Sequence, residues 1–115
     1  MNINDAKKAN LKALGFTGSI DDAYKAFLVS ITGATGTIND LEKLVFTTAG
    51  FTGALNDMWM QHFASQGITS GAYNDRMLVA WKTISGAGLA DAAYSNLEME
   101  DGFNLLQEDG YLFVL

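Results

Sequence analysis

Six aspartates recur along the chain at near-constant spacing. Asp5, Asp22, Asp40, Asp57, Asp75 and Asp91 lie 17, 18, 17, 18 and 16 residues apart. Most stand at the end of a glycine-bearing unit: Gly15-Phe16-Thr17-Gly18-Ser19-Ile20-Asp21-Asp22, Gly33 to Asp40, Gly50 to Asp57, and Gly67 to Asp75 with one extra residue. Glycine-rich loops that open helices can cradle phosphate, and repeated carboxylates can hold calcium. Neither chemistry suits this pattern. No copy continues into Gly-Lys-Ser/Thr, and an aspartate in the first helical turn repels an anion. Calcium takes six to eight clustered oxygens, whereas each copy offers one or two carboxylates a whole repeat away from the next. His62 is the only histidine, without a partner acid or nucleophile marked near it, and the chain has no cysteine, so nothing here makes a catalytic triad or a metal site. The acidic turns at Glu100, Asp101, Glu108 and Asp109 are a better ion candidate, set against ordinary solvated turns. No catalytic, metal-ligating or cofactor-binding residue is therefore expected.

A feature repeated at fixed period is scaffold before it is site. Each copy reads as a loop, a helix cap and a helix. Ser19 and Thr37 are N-cap residues with Asp22 and Asp40 three positions on, and Asn2 with Asp5 is close to that arrangement. Ala54 and Ala72 lack the cap hydroxyl. Behind the caps come apolar residues at helical spacing: Ile20, Ala23, Tyr24, Phe27 and Leu28; Ile38, Leu41, Val45 and Phe46; Leu55, Met58, Trp59 and Phe63; Tyr73, Met77, Ala80, Trp81 and Ile84. The weakest stripe is Ile3, Ala6, Leu11 and Leu14. Gly15, Gly33, Gly50, Gly67 and Gly86 are placed to stop the helices in a left-handed conformation. The spacing predicts five short helices joined by tight loops of four or five residues, then a sixth turn near 89–95. Phe27, Phe46, Trp59, Phe63 and Trp81 fall on the predicted inner faces.

Beyond Asn96 the period changes to alternation. Leu97-Glu98-Met99-Glu100, two Glu-Asp-Gly-aromatic units and the closing run Tyr111-Leu112-Phe113-Val114-Leu115 predict a three-stranded antiparallel β meander. The expected fold class is thus mainly α, an array or bundle of five to six short helices in repeats of about 17 residues with a C-terminal meander. Residues 1–96 form the helical repeat domain and 97–115 an appendage for oligomerisation or docking. An apolar edge strand without lysine or proline calls for a partner. Leu105, Tyr111, Leu112, Phe113, Val114 and Leu115 are the expected interface, closing a ring of meanders with a trimer as the expected number.

The totals narrow the function further. At 115 residues the chain is one domain, or one domain with an appendage. The net charge of −6 is uneven: seven acids and all seven bases lie in residues 1–85, and six acids with no base in 86–115. Phosphate affinity needs clustered lysine and arginine, so nucleic acid is not an expected partner. No apolar run approaches the roughly 20 residues of a membrane helix, and no basic, apolar leader is read at the start.

The unit Gly-x-Thr-Gly-Ser/Thr-Ile-Asn/Asp-Asp, followed by an aromatic-bearing helix, resembles repeats of small virion proteins of tailed bacteriophages. The C-terminal Glu-Asp-Gly-aromatic units resemble the ends of similar phage structural proteins. The resemblance spans residues 2–115 and departs at Ala54 and Ala72, which lack the cap hydroxyl, and at Ser70, an insertion. It implies a non-enzymatic, oligomeric particle component, located in the virion, with itself and capsid or other virion proteins as partners and no cofactor. A capsid decoration or head-attached role is the leading expectation. A neck, tail or fibre-base component is the close alternative, and a small cellular adaptor or binding module a second class.

Overall fold

The computed structural model describes residues 2–93. Five α-helices follow one another: α1 (Ile3–Ala13), α2 (Ile20–Thr32), α3 (Ile38–Thr48), α4 (Leu55–Ser65) and α5 (Tyr73–Thr83). A tight turn, Ser85–Gly88, comes next, and residues 89–93 are again helical. All of this regular structure is helical, with no strand among the described residues. The expected class of helices plus β meander is therefore corrected to an all-α fold. The segment expected to form the strands, residues 97–115, lies outside the described residues. The connections at 14–19, 49–54 and 66–72 are also longer than the tight loops expected.

The helices begin where the caps place them. Ser19 Oγ accepts from the Asp22 N–H at 3.2 Å, Thr37 Oγ1 from the Asp40 N–H at 3.1 Å, and Asn2 Oδ1 from the Asp5 N–H at 2.8 Å. Each bond satisfies a donor that has no partner inside the helix. Ala54 and Ala72 keep the extended cap conformation but accept nothing. At Ala72 the backbone N–H still reaches Asp75 Oδ2, at a long 3.4 Å. The stops at Gly15, Gly33, Gly50 and Gly67 match expectation, whereas α5 ends at Thr83 and Ile84 turns extended before Gly86. Gly50 adopts φ +94°, and the following Phe51 N–H turns back to the Phe46 carbonyl at 2.9 Å. Phe16 and Ile68 close α1 and α4 in the same way.

Helices this short are marginal in water and must bury their stripes against one another. Each packs on its neighbours in sequence, and α1 packs on α5, so the row closes into a ring. Aligning the helices from their first residues shows how. The ninth positions are Leu11, Leu28, Phe46, Phe63 and Trp81, all of them fully or almost fully buried. The eighth are Asn10, Phe27, Val45, His62 and Ala80. The expected burial of Trp59 and Trp81 in a shared core holds, with 3% and 2% of their surfaces exposed.

Asn10 departs from the apolar pattern at the eighth position because it closes the ring. Its Nδ2 donates to the carbonyls of Trp81 at 2.7 Å and Ile84 at 2.9 Å, and its Oδ1 accepts from the Gly86 N–H at 2.8 Å. One amide thereby fastens the first helix to the end of the fifth.

Two outcomes follow from these bonds. Ala54→Ser places a hydroxyl on a backbone (φ −70°, ψ 162°) close to that of Ser19 (φ −64°, ψ 157°), and should raise stability in urea by about 1 kcal/mol. Asn10→Ala leaves two carbonyls and one N–H without their partner and should cost about 2–4 kcal/mol. Unchanged urea midpoints would refute either account.

Candidate functional site

The fifth residue of each helix is Lys7, Tyr24, Glu42, Trp59 and Met77. This equivalent position is aimed inward, and it brings unlike chemistries together. The Tyr24 hydroxyl donates to Glu42 Oε2 at 2.5 Å. The Lys7 ammonium lies 3.4 Å from the centroid of the Tyr24 ring and 5.5 Å from that of Trp81. Trp81 meets Tyr24 edge-on at 5.6 Å. From α4, the Trp59 indole favours the charged form of Glu42. The result is a buried chain of cation, aromatic faces and carboxylate linking α1, α2, α3, α4 and α5.

The electrostatics follow from removing these groups from water. Burial pushes the Glu42 carboxyl above the usual carboxylate range, while the Tyr24 hydroxyl, the Lys7 charge and the Trp59 indole pull it back in part. Burial lowers Lys7, opposed by the charges of Glu42 and Asp21. Tyr24 is raised well above its ordinary value by burial and by the adjacent Glu42 charge. A raised carboxyl in a cleft marks a general acid in many enzymes. Here Glu42 is 7% exposed and is held by groups that belong to the core. It lines none of the surface notches at Ile31–Leu44, Lys8–Phe16, Ala6–Trp81 or Phe51–Gln66. The arrangement can fix the relative rotation of the helices through directional bonds that apolar packing lacks.

His62, at the eighth position of α4, is fully buried. Its Nε2 lies 2.7 Å from the Ala87 carbonyl oxygen. A carbonyl only accepts, so Nε2 carries the proton of the neutral ring and Nδ1 presents a bare lone pair. No hydrogen-bond partner meets Nδ1 among the described residues. Phe46, Phe51 and Trp59 surround the ring at centroid distances of 5.4, 6.2 and 5.9 Å. Burial lowers the imidazole below its ordinary value, and the Ala87 carbonyl offsets this in part.

The repeated aspartates remain dispersed at the helix starts. Among the described residues no group of three or more His, Asp or Glu could hold a metal ion, and no helix is long and apolar enough to cross a membrane. The expected interface residues Leu105 and Tyr111 to Leu115, and the acidic turns at Glu100, Asp101, Glu108 and Asp109, lie outside the described residues. The Lys7–Tyr24–Glu42–Trp59 chain was not expected from apolar periodicity. Its signal is the aligned repeat, in which one inward column holds a lysine, a tyrosine, a glutamate, a tryptophan and a methionine.

Fold and site together define a closed ring of five short helices around a polar centre. No protein-family model matches the chain, and no curated protein or solved structure matches it either.

Glu42 predicts a pH dependence of definite sign. Its folded-state pKa lies above the unfolded one, so its contribution to stability is present below the unfolded value and is lost as pH rises through the folded one. His62 has a lowered folded pKa, and its contribution is lost as pH falls. Comparison with Glu42→Gln separates the two. As pH is lowered from about 7.5 to about 5, the melting temperature of the wild type should rise relative to that of E42Q. Parallel curves would show that Glu42 carries no such linkage.

Proposed function

We propose that the chain is a non-catalytic structural component of a tailed-phage particle, with a capsid decoration or head-attached role as the leading reading. What carries the proposal is the use the fold makes of its polar groups. Asn2, Ser19 and Thr37 cap helices, Asn10 closes the ring, and Lys7, Tyr24 and Glu42 bind its centre. The side chains with most capacity for chemistry are engaged in holding one helix against another. That is the economy of a building block whose outer surface is its working part. The sequence resemblance of the Gly-x-Thr-Gly units to phage virion repeats supports the same reading.

The partners in this proposal are further copies of the chain and other virion proteins. Self-association is assigned to the apolar C-terminal residues, with Leu112 and Val114 as representatives. A neck, tail or fibre-base position is the alternative within the particle, and a cellular adaptor the alternative outside it.

Sedimentation of the full-length protein should show an oligomer. The double substitution Leu112→Asp, Val114→Asp should give a monomer with unchanged helical circular dichroism. Mass spectrometry of purified particles should find the chain in fixed stoichiometry with the capsid protein. A monomeric wild type removes the self-association. Absence from the particles removes the virion reading and leaves the adaptor.

A further inference from the structure

The chain after α5 does not simply end the repeat. Ile84 is extended, and Gly86, Ala87 and Gly88 then take three successive left-handed conformations, with φ of +58°, +53° and +77°. Ala87 is the only non-glycine residue with positive φ among those described. For a residue with a Cβ this conformation is strained. The turn is nevertheless buried, with Ala87 and Leu89 fully enclosed and Ala92 and Ala93 nearly so.

The fit of this segment is close. A Cβ on Gly86 would stand 2.6 Å from Phe27 Cζ, and one on Gly88 would stand 2.8 Å from Gln66 Cδ. Gly86 thus needs glycine for space as well as for conformation, whereas at Gly88 the end of the Gln66 side chain can move and the positive φ is the constraint. Residues 85–93 form a cap whose turn packs on α5 and α1 and meets Phe27 of α2 and His62 of α4. At the centre of the seat the strained Ala87 presents its carbonyl to His62.

We infer that His62 is an acid-sensitive latch on this cap: protonation of the imidazole releases residues 85–93 from the helical ring while the ring stays folded. In the neutral ring the Nε2 proton engages the Ala87 carbonyl. Acid adds a proton at Nδ1, which has no acceptor and faces Phe46, Phe51 and Trp59. An imidazolium there is a buried charge with one of its two donors unmet, and it must reach water. The titratable groups on adjoining elements do not supply a counter-charge. Glu42 on α3 is engaged by Tyr24, Lys7 and Trp59, and Asp91 on the cap shares a surface notch with Phe51 and Gln66. Neither contributes to the balance at the imidazole, which is set by burial and the Ala87 carbonyl. The element best placed to yield is the cap, because its departure both hydrates His62 and relieves the left-handed strain at Ala87.

Amide hydrogen exchange on the full-length protein tests the latch. Between about pH 7.5 and about pH 5, protection factors across residues 86–93 should fall about tenfold relative to those of α3. His62→Gln keeps an N–H for Ala87 and cannot titrate, so its cap protection should be independent of pH. Nitrogen chemical shifts of His62 in the wild type give a reading that needs no variant, and Nδ1 should gain its proton in step with the loss of cap protection. A ring that stays in the Nε2–H form while the cap opens overturns the inference. So does an equal loss in His62→Gln, a cap that keeps its protection throughout, or a simultaneous loss of protection in cap and helices.

Discussion

The closure of α1 onto α5 is the constraint on which the rest of the structure depends. A row of short helices has two ends, and each end leaves an apolar stripe facing water. Bringing the ends together buries both stripes at once, but it joins segments more than 70 residues apart, with the loop entropy that this costs. Asn10 makes the closure specific. It satisfies two carbonyls just where the fifth helix stops and one N–H in the turn that follows. Apolar packing alone would tolerate rotation or slippage of α1 on α5, whereas three directional bonds fix the register.

Closure also explains the polar centre. In an open array the fifth-position residues would lie along a groove and could keep their water. In a ring they converge, and a lysine and a glutamate must be accommodated together. The aromatic faces of Tyr24 and Trp81 receive the ammonium, and the Tyr24 hydroxyl with Trp59 receives the carboxylate. A buried charge without such neighbours destabilises a core strongly, while a matched set gives directionality at little net cost. The side chains that look most like catalytic candidates are thus a consequence of the ring's geometry, and their role in the proposed building block is positional.

The cap adds a second level of organisation. The repeats share caps, stripes and stops, so any one helix resembles the others in its local energetics. Residues 85–93 break that uniformity with three left-handed residues and a single histidine contact. Strain persists only where surrounding contacts hold it in place. Here Asn10, Phe27, Gln66 and His62 hold the turn, and the imidazole is the one of these four that can change its charge near neutral pH.

The sequence by itself determined the local elements of this protein. Five helices, their capped starts at Asn2, Ser19 and Thr37, the uncapped starts at Ala54 and Ala72, and the inward aromatic residues were all legible, because each depends on groups within one or two helical turns. The glycine stops were legible for the same reason, up to Gly86. There the chain leaves the repeat to make contacts with α1, α2 and α4 that no local pattern encodes. The strands expected at 97–115 rest on alternation and on two Glu-Asp-Gly turns; that segment lies outside the described residues, whose regular structure is all helical. Tertiary structure alone decided that the row closes, that Lys7 meets Tyr24 and Glu42, and that His62 finds Ala87. Those outcomes depend on the relative placement of helices. Periodicity defines the buried face of each helix, but which residues meet across the ring is set by how the helices pack together.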